Sequence, residues 1–280
     1  MIKTNYHTHS IFCDGKNTAE EMVLSAIEKD FSILGFSSHS MCNFSDCWHL
    51  PARNHSAYVE EIRRLQSAYA DKIKIMLGFE ADYICGLCKP SKKDDYAPFS
   101  PDYLIGAVHF VMNENGCFAV DDAVENVKKG LETVFGSNKR ELVHSYFEAE
   151  RKMLEKGDFD IIAHADLIRK PNKALELFDE DSTEYKEELF LTAKAIKKAG
   201  VIAEVNIGGM ARGYMDSPYP SPYFLSLLSE MNVPVTYSAD AHNASNLDFG
   251  YADALSYIKR AGYTEIAYLE PNAIKFQKIN

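Results

Sequence analysis

The stretch TEYKEELFLTAKAIKKAGVIAEV, residues 183–205, passes from a helical pattern into a short apolar run. The helical part stops at Gly200, because glycine is a residue that helices often use just past their carboxyl end. The run over residues 201–205 has the length of a buried strand, and a second helical pattern follows at Tyr223–Met231. A strand between two helices is typical of an α/β fold built on a parallel sheet.

The same alternation continues in both directions along the chain. Thr18 opens the first helix, since it can form a capping box with Glu21. Seven or eight strand–helix units favour a closed, TIM-barrel-like α/β barrel, although an open sheet would give the same pattern. The predicted strands are Lys3–Tyr6, Phe31–Phe36, Ile73–Phe79, Tyr103–Val108, Asp160–Ala163, Val201–Val205, Val233–Tyr237 and a short Glu265–Tyr268, and the predicted helices are Thr18–Lys29, His55–Tyr69, Asp121–Phe135, Lys139–Lys156, Thr183–Ala199, Tyr223–Met231 and Ala252–Ala261.

The bulk composition narrows the class of protein. The chain has 280 residues, of which 46% are hydrophobic, so residues 1–280 suffice for a single barrel domain. The formal net charge of −11 argues against nucleic acid as a partner, whereas bound metal ions can still attract a small anionic substrate. The start of the chain lacks the pattern of a signal peptide, and no run of about 18 apolar residues predicts a membrane span. We therefore expect a cytoplasmic protein.

The six cysteines allow two interpretations. Cys85 and Cys88 have the spacing of a zinc knuckle, and Cys42 with Cys47 would complete a site with four thiolates. The second pair lacks the knuckle spacing, so we favour reduced thiols in loops near a substrate cleft. The remaining two are Cys13 and Cys117.

Six of the nine histidines fall at the carboxyl end of a predicted strand or just after it. Two carboxylates, Glu80 and Asp240, occupy equivalent positions. In an α/β barrel these strand ends converge on one face, where active sites are built, so we expect the groups to meet in space. The six histidines are His7, His9, His39, His109, His164 and His242.

Imidazole and carboxylate groups are ligands for Zn, Mn and Fe. His7 and His9 lie two residues apart, so on an extended backbone both side chains face the same way and can bind one ion together. Asp240 and His242 have the same spacing. The whole set exceeds what one tetrahedral ion needs, so we expect two to three divalent ions, with Glu80 bridging two of them.

A resemblance to a known family is carried by the series His7-Thr-His9, Asp14-Gly15, His39, Gly78-Phe-Glu80, His109, His164-Ala-Asp166 and Asp240-Ala-His242. This series resembles the polymerase and histidinol phosphatase (PHP) superfamily, from residue 5 to residue 242. The segments GFEADY, VNIGG and YPSP before SADAH are most similar to its histidinol-phosphatase branch. The resemblance implies a distorted (β/α)7 barrel with a trinuclear metal site.

The resemblance also implies the ligands of each ion and a reaction. The reaction is hydrolysis of L-histidinol phosphate to L-histidinol and phosphate, a step of histidine biosynthesis, through attack by a hydroxide that bridges metal ions. Glu80 and Asp240 are the expected catalytic carboxylates, with Asp240 or a metal-bound water protonating the leaving alkoxide. The implied sets are His7, His9, Glu80 and Asp240 for the first ion, Glu80, His109 and His164 for the second, and His39, His242 and Asp14 for the third.

Other polar residues of the same face are candidates for supporting roles. Arg169 and Arg212 follow predicted strands, and the guanidinium fork of each suits a phosphate group. Asp82 and Asp166 lie two residues past Glu80 and His164, where they can orient metal ligands. His49, His55 and His144 match no family position, but His49 with Trp48 is a candidate wall for the imidazole of the substrate because of its place in the loop after the second strand.

Three alternatives stay open from the sequence. Another phosphoesterase of the superfamily, acting on nucleotides, other small phosphate monoesters or a DNA 3′ end, would have the same ligands. An amidohydrolase-type enzyme that cleaves C–N bonds also begins with His-x-His, but the Asp240-Ala-His242 motif favours the phosphatase. A non-catalytic metal-binding barrel would be expected to lack ligands, and the set here is complete.

Overall fold

The fold is an α/β barrel whose seven parallel strands are arranged in chain order. A computed structural model describes residues 1–40, 48–85, 87, 92–270 and 273–279. Bridging between Thr8 and Ala241 joins the first strand region to the last and nearly closes the barrel. In order around the barrel, the strands are β1 (Thr4–Asn5), β2 (Ile33–Ser40), β3 (Lys74–Asp82), β4 (Tyr103–Ala107), β7 (Ile161–Ile162), β8 (Ile202–Asn206) and β9 (Val235–Ser238).

Two antiparallel hairpins lie outside the barrel sheet. The first consists of β5 (Phe110–Asn113) and β6 (Gly116–Ala119), directly after the fourth barrel strand. The second pairs β10 (Glu265–Glu270) with β11 (Ala273–Lys278). Leu269 of β10 donates its backbone N–H to the hydroxyl of Tyr6 over 2.7 Å. The second hairpin therefore packs into an apolar cluster that includes Tyr6, Ile33 and Ile161 of the barrel.

The helices surround the barrel and bury their apolar stripes against it. Helix α1 begins with the predicted capping box, in which Thr18 and Glu21 bond each other's backbone N–H groups. The long helices α4 and α6 have the predicted bounds. The helices are α1 (Ala19–Glu28), α2 (His55–Ala68), α3 (Val124–Phe135), α4 (Lys139–Lys156), α5 (Arg169–Leu175), α6 (Thr183–Ala199), α7 (Gly208–Ala211), α8 (Pro222–Glu230) and α9 (Tyr251–Arg260).

The expected α/β fold with a TIM-barrel-like, seven-stranded barrel is confirmed, with several local differences. Strands β2 and β3 run farther than predicted, so His39 and Glu80 lie within them rather than after them. Both strands are buried along almost their whole length. Their carboxyl-terminal parts contain buried polar residues, so the end of the apolar run does not mark the end of the strand. The strand at the end of the chain was predicted near Glu265–Tyr268, and it pairs with β11 rather than with the barrel. Within the described ranges no helix has the length and apolar content needed to cross a bilayer.

Candidate metal centre

The predicted ligands come together at the carboxyl-terminal mouth of the barrel. His7 and His9 follow β1, His39 and Glu80 lie on β2 and β3, and the others follow later strands. Strand register places His39 directly beside Glu80, because the two are paired between β2 and β3. The groups of possible ligand atoms within 4.8 Å of one another are His9, Asp14, His39 and His242; His7, His9 and Asp240; His7, Glu80 and His164; and His39, Asp82 and His109.

Glu80 occupies the centre of this constellation. Its Oε2 lies 2.9 Å from Nε2 of His7 and 3.1 Å from Nδ1 of His39, and its Oε1 lies 3.1 Å from Nε2 of His164. Nε2 of His9 and Nε2 of His109 are each 3.5 Å from a Glu80 oxygen. Five imidazoles from four parts of the chain thus face one fully buried carboxylate, which is the arrangement that a bridging ligand requires.

A second part of the constellation lies nearer to solvent. Asp14 is 28% exposed, and its Oδ2 lies 3.0 Å from Nε2 of His242. The rings of His9 and His242 stack with centroids 4.0 Å apart, and the ring of His39 lies 4.5 Å from that of His9. Asp14 thus belongs to the constellation. His9 joins this part as well as the group with Asp240, so it lies between two sets that the family resemblance keeps separate.

The donor atoms fit a set of divalent cations. Nε2 of His9, Nδ1 of His39 and Oδ1 of Asp14 are buried. Each has a carboxylate or imidazole atom within 3.5 Å, but none has a partner oriented for a hydrogen bond. Buried polar atoms without partners are costly, and they are uncommon unless water or an ion satisfies them. Nitrogen and carboxylate oxygen together form a donor set for Zn, Fe or Mn.

Charges within the cluster shift the pKa values of its members strongly. Burial and the neighbouring rings of His242 and His39 lower the pKa of His9 to about 3, so this ring is neutral near pH 7. Burial opposes the charge of Asp240, but the guanidinium of Arg212 holds its pKa well below the ordinary value. A neutral imidazole and an ionised carboxylate are the forms that bind metal.

Asp82 holds two histidines in place behind the cluster. Its Oδ1 accepts from Nδ1 of His109 over 2.5 Å, and its Oδ2 lies 2.7 Å from Nε2 of His49. The bond to His109 leaves Nε2 of that ring facing Glu80. This is the arrangement by which a carboxylate fixes the tautomer of a metal ligand. The ring of His49 also stacks on Trp48, which in turn stacks on Phe110 of the first hairpin.

Sequence reasoning missed Glu204, a second buried carboxylate that contacts the cluster. It lies on β8 and its Oε2 accepts from Nδ1 of His7 over 2.9 Å. The sequence does contain a signal, since Glu204 is a charged residue within an otherwise apolar predicted strand. A buried charge is expensive unless it is paired, so its position indicates a nearby cation or donor.

The two arginines of the predicted phosphate site have different surroundings. Nη2 of Arg212 lies 3.0 Å from Oδ2 of Asp240, and its Nη1 lies 2.8 Å from Nδ1 of His242. Arg212 is 30% exposed and therefore reaches both the cluster and solvent. Arg169 is buried and donates to the carboxylate of Glu180, to the hydroxyl of Ser217 and to the carbonyl oxygen of Pro218. All three of its nitrogens are thus engaged by the protein, and its contact with phosphate stays a prediction.

The remaining residues considered from the sequence have varied surroundings. Asp166 does not bond its neighbouring ligand His164 but accepts from the backbone N–H of Ser221. Cys13 lies close to His9, with Sγ 3.5 Å from Nδ1. His144 is exposed on α4 and pairs with Glu188. Of the cysteines considered for a zinc knuckle, Cys85 is exposed, and Cys42, Cys47 and Cys88 lie outside the described residues.

Comparison with known proteins extends these observations. A protein of Schizosaccharomyces pombe named probable histidinol-phosphatase is 28% identical, over 94% of this chain and 88% of its own length. The histidinol-phosphatase of Bacillus subtilis is 23% identical, over 90% of this chain and 97% of its own. A crystal structure of histidinol phosphate phosphatase from Lactococcus lactis, complexed with zinc, L-histidinol and phosphate, has the same fold, with a TM-score of 0.74 at 22% identity and 98% of each chain covered. The PHP domain model matches residues 5–207, and this chain therefore belongs to the PHP domain family.

Proposed function

We propose that this protein is a phosphatase that hydrolyses L-histidinol phosphate to L-histidinol and inorganic phosphate. The observation that carries the proposal is the ring of five imidazoles around Glu80 at the mouth of the barrel. Membership of the PHP domain family supports metal-dependent hydrolysis rather than the C–N bond cleavage of an amidohydrolase. The relatives named histidinol-phosphatase align along most of both chains, and they support this substrate over a nucleotide or DNA.

The proposed cofactor is a set of two to three divalent ions, with Zn, Fe and Mn as candidates. Bound there, the ions would polarise the phosphoryl oxygens and activate a water molecule for attack at phosphorus. Glu80 is proposed as the bridging carboxylate because its five neighbouring imidazoles come from four separate parts of the chain. The full proposed ligand set is His7, His9, Asp14, His39, Glu80, His109, His164, Asp240 and His242.

The protein groups around the ions have separate roles in the proposed reaction. Arg212 holds the carboxylate of Asp240 in place and presents an exposed part of its guanidinium to the cleft, where it can bind a phosphate oxygen. Asp240 is held ionised, which favours the role of a metal ligand over that of a proton donor to the leaving alkoxide. Trp48, which is half-buried and stacks on the buried rings of His49 and Phe110, is the proposed contact for the imidazole of the substrate.

The net charge of −11 supports a small phosphate monoester over nucleic acid as the substrate, because a long polyanion is repelled by the overall field. A cytoplasmic location is proposed, in keeping with a biosynthetic role.

The substrate proposal is tested by comparing rates on a panel of phosphate esters. Purified protein loaded with Mn²⁺ or Zn²⁺ is given L-histidinol phosphate beside nucleotides, sugar phosphates and a single-stranded DNA. We expect kcat/KM for L-histidinol phosphate to exceed each of the others at least tenfold, which corresponds to about 1.4 kcal/mol. A smaller preference would contradict the substrate while leaving the metal centre in place.

The metal centre is tested separately by metal analysis of the loaded protein after gel filtration. We expect at least two ions per chain, as two to three sites require. The variant Asp240→Asn provides a control, since loss of this carboxylate should reduce both occupancy and turnover. Fewer than two ions in the wild-type protein would contradict the cluster.

A further inference from the structure

Strand β8 places two polar side chains inside the barrel, directly beneath the metal centre. Glu204 and Asn206 are both buried, with at most 1% of their surface exposed. They lie two residues apart on the same strand, so both point to the interior face. Val205 between them belongs to the main apolar core. An ionisable residue in this position is expensive unless every oxygen is bonded, and none of the predicted ligand sets includes it.

The two oxygens of Glu204 are fully engaged by three donors. Oε2 accepts from Nδ1 of His7 over 2.9 Å. Oε1 accepts from the backbone N–H of His164 over 2.8 Å and from Nδ2 of Asn206 over 2.7 Å. The same Nδ2 lies 3.3 Å from Oδ2 of Asp240. Glu204 and Asn206 thus contact three of the predicted metal ligands, which follow three different strands.

These contacts compensate for a weak part of the barrel. Strands β1 and β7 have only two residues each, so few ladder bonds hold the chain segments that carry His7 and His164. Catalytic and metal-binding groups need placement within a fraction of an ångström, which short strands alone do not give. A buried carboxylate that bonds both segments supplies that constraint.

We infer that Glu204 and Asn206 form a positioning pair that sets the tautomer of His7 and ties the ligands His7, His164 and Asp240 to one another. The inference rests on the proposed function, because the pair acts through the metal ligands. Neither Glu204 nor Asn206 belongs to the proposed ligand set.

The chemistry of the bond to His7 requires a carboxylate at position 204. With Nδ1–H donating to Glu204, the lone pair of Nε2 is free to bind an ion beside Glu80. The side chain of glutamine has only one oxygen, and that oxygen would accept from the backbone N–H of His164 and from Nδ2 of Asn206. The amide nitrogen would then face Nδ1 of His7 and favour the tautomer with a proton on Nε2. Glu204→Gln therefore keeps the size of the side chain while opposing metal binding by His7.

The inference is tested by zinc retention in four proteins. The wild type, Glu204→Gln, Asn206→Ala and Glu150→Gln are loaded with Zn²⁺, and zinc affinity is measured by competition with a chromogenic chelator. Glu150 serves as a matched control, since it is a fully buried carboxyl group that is hydrogen-bonded by Tyr146 and, unlike Glu204, has no hydrogen bond to a proposed ligand among the described residues. Thermal unfolding of the metal-free proteins measures whether each variant folds.

We expect Glu204→Gln to weaken the tightest zinc sites about 10- to 100-fold, the usual effect of losing the partner of a metal-ligating histidine. Asn206→Ala should weaken zinc binding less, because the bonds from Glu204 to His7 and His164 remain. Turnover of Glu204→Gln should recover at high Zn²⁺, as expected for a residue that acts through the metal. Glu150→Gln should retain zinc like the wild type.

Zinc affinity in Glu204→Gln and Asn206→Ala equal to that of the wild type would overturn the inference. If Glu204→Gln does not fold, the test rests on zinc binding by Asn206→Ala. Unchanged zinc affinity in that variant would overturn the inference that the pair ties Asp240 to the other ligands. A wild-type protein that retains zinc but does not prefer L-histidinol phosphate would refute the proposed substrate and leave the positioning pair intact. A wild-type protein that retains no zinc would refute both.

Discussion

Gly78, two residues before Glu80 on β3, allows a test of how the barrel interior positions the metal centre. A methyl group at Gly78 would lie 2.5 Å from Cε1 and Cζ of Tyr103, whose ring also packs over Gly35. Tyr103 has little freedom to move, because its buried hydroxyl lies 3.0 Å from the carbonyl oxygen of Phe36 and also contacts the carbonyl oxygen of Tyr6. Gly78→Ala therefore has to displace either this ring or the strand that carries Glu80.

The expected cost follows from these contacts. Overpacking of a rigid interior costs about 1–3 kcal/mol. Weakening a hydrogen bond to a buried carbonyl adds about 1 kcal/mol. The free energy of unfolding should therefore fall by about 2–4 kcal/mol, and for a chain of this size Tm should fall by roughly 2–4 °C per kcal/mol.

The assay is thermal unfolding of the metal-free protein, followed by kcat/KM of the metal-loaded protein. A double-mutant cycle with Tyr103→Ala isolates the clash, because the methyl group at Gly78 then meets empty space. We expect Gly78→Ala to cost at least about 1 kcal/mol less in the Tyr103→Ala background, which is a typical coupling between touching residues. An unchanged Tm in Gly78→Ala, or strictly additive effects in the cycle, would refute the reasoning.

Four further outcomes are expected. Asp82→Asn should weaken zinc binding about tenfold or more in a chelator competition, because an amide cannot accept from both His49 and His109. Arg212→Lys should raise the inhibition constant of inorganic phosphate about tenfold, since an ammonium group lacks the fork that meets both Asp240 and a phosphate. Burial holds the pKa of Glu150 well above its ordinary value, so this group is protonated when folded and ionised when unfolded near neutral pH. Below the unfolded pKa of about 4.3 the carboxyl group is protonated in both states, so it does not lower the free energy of unfolding. As pH rises towards the folded pKa, ionisation stabilises only the unfolded chain. The Tm of Glu150→Gln should therefore increasingly exceed that of the wild type between about pH 5 and about pH 8. Removal of metal by a chelator should lower Tm, because ligand at 100 times Kd stabilises by about 2.7 kcal/mol per site.

Each of these outcomes has a clear contrary result. Wild-type zinc affinity in Asp82→Asn would show that His109 does not depend on its carboxylate partner. Unchanged phosphate inhibition in Arg212→Lys would remove Arg212 from the proposed phosphate site. A constant Tm difference for Glu150→Gln across the pH range would mean that Glu150 is ionised in the folded protein. A Tm insensitive to chelation would argue against ions that stabilise the fold.

The sequence by itself determined the class of fold and indicated which polar groups gather at one face of it. Helices α4 and α6 have the predicted bounds, because periodic apolar residues and residues that end helices act locally. The same holds for the capping box of Thr18 and Glu21. The predicted ligands lie at one face because parallel strands bring their carboxyl ends together, so the position of each histidine along its own strand was enough to expect this.

Only the tertiary structure decided which groups meet. Glu204 contacts His7 across 197 residues of sequence, and although a charge in an apolar strand indicates some partner, the local sequence does not say which one. The sharing of His9 between two ligand groups depends on how the strands close between Thr8 and Ala241. Asp82 was recognised as a candidate orienter, but its choice of His109 and His49 follows from the packing of β3 against the loops around it. The local sequence determines where helices and strands form and which of their faces are apolar. Contacts between distant segments depend on strand register and side-chain packing, which cannot be predicted from a short stretch of sequence.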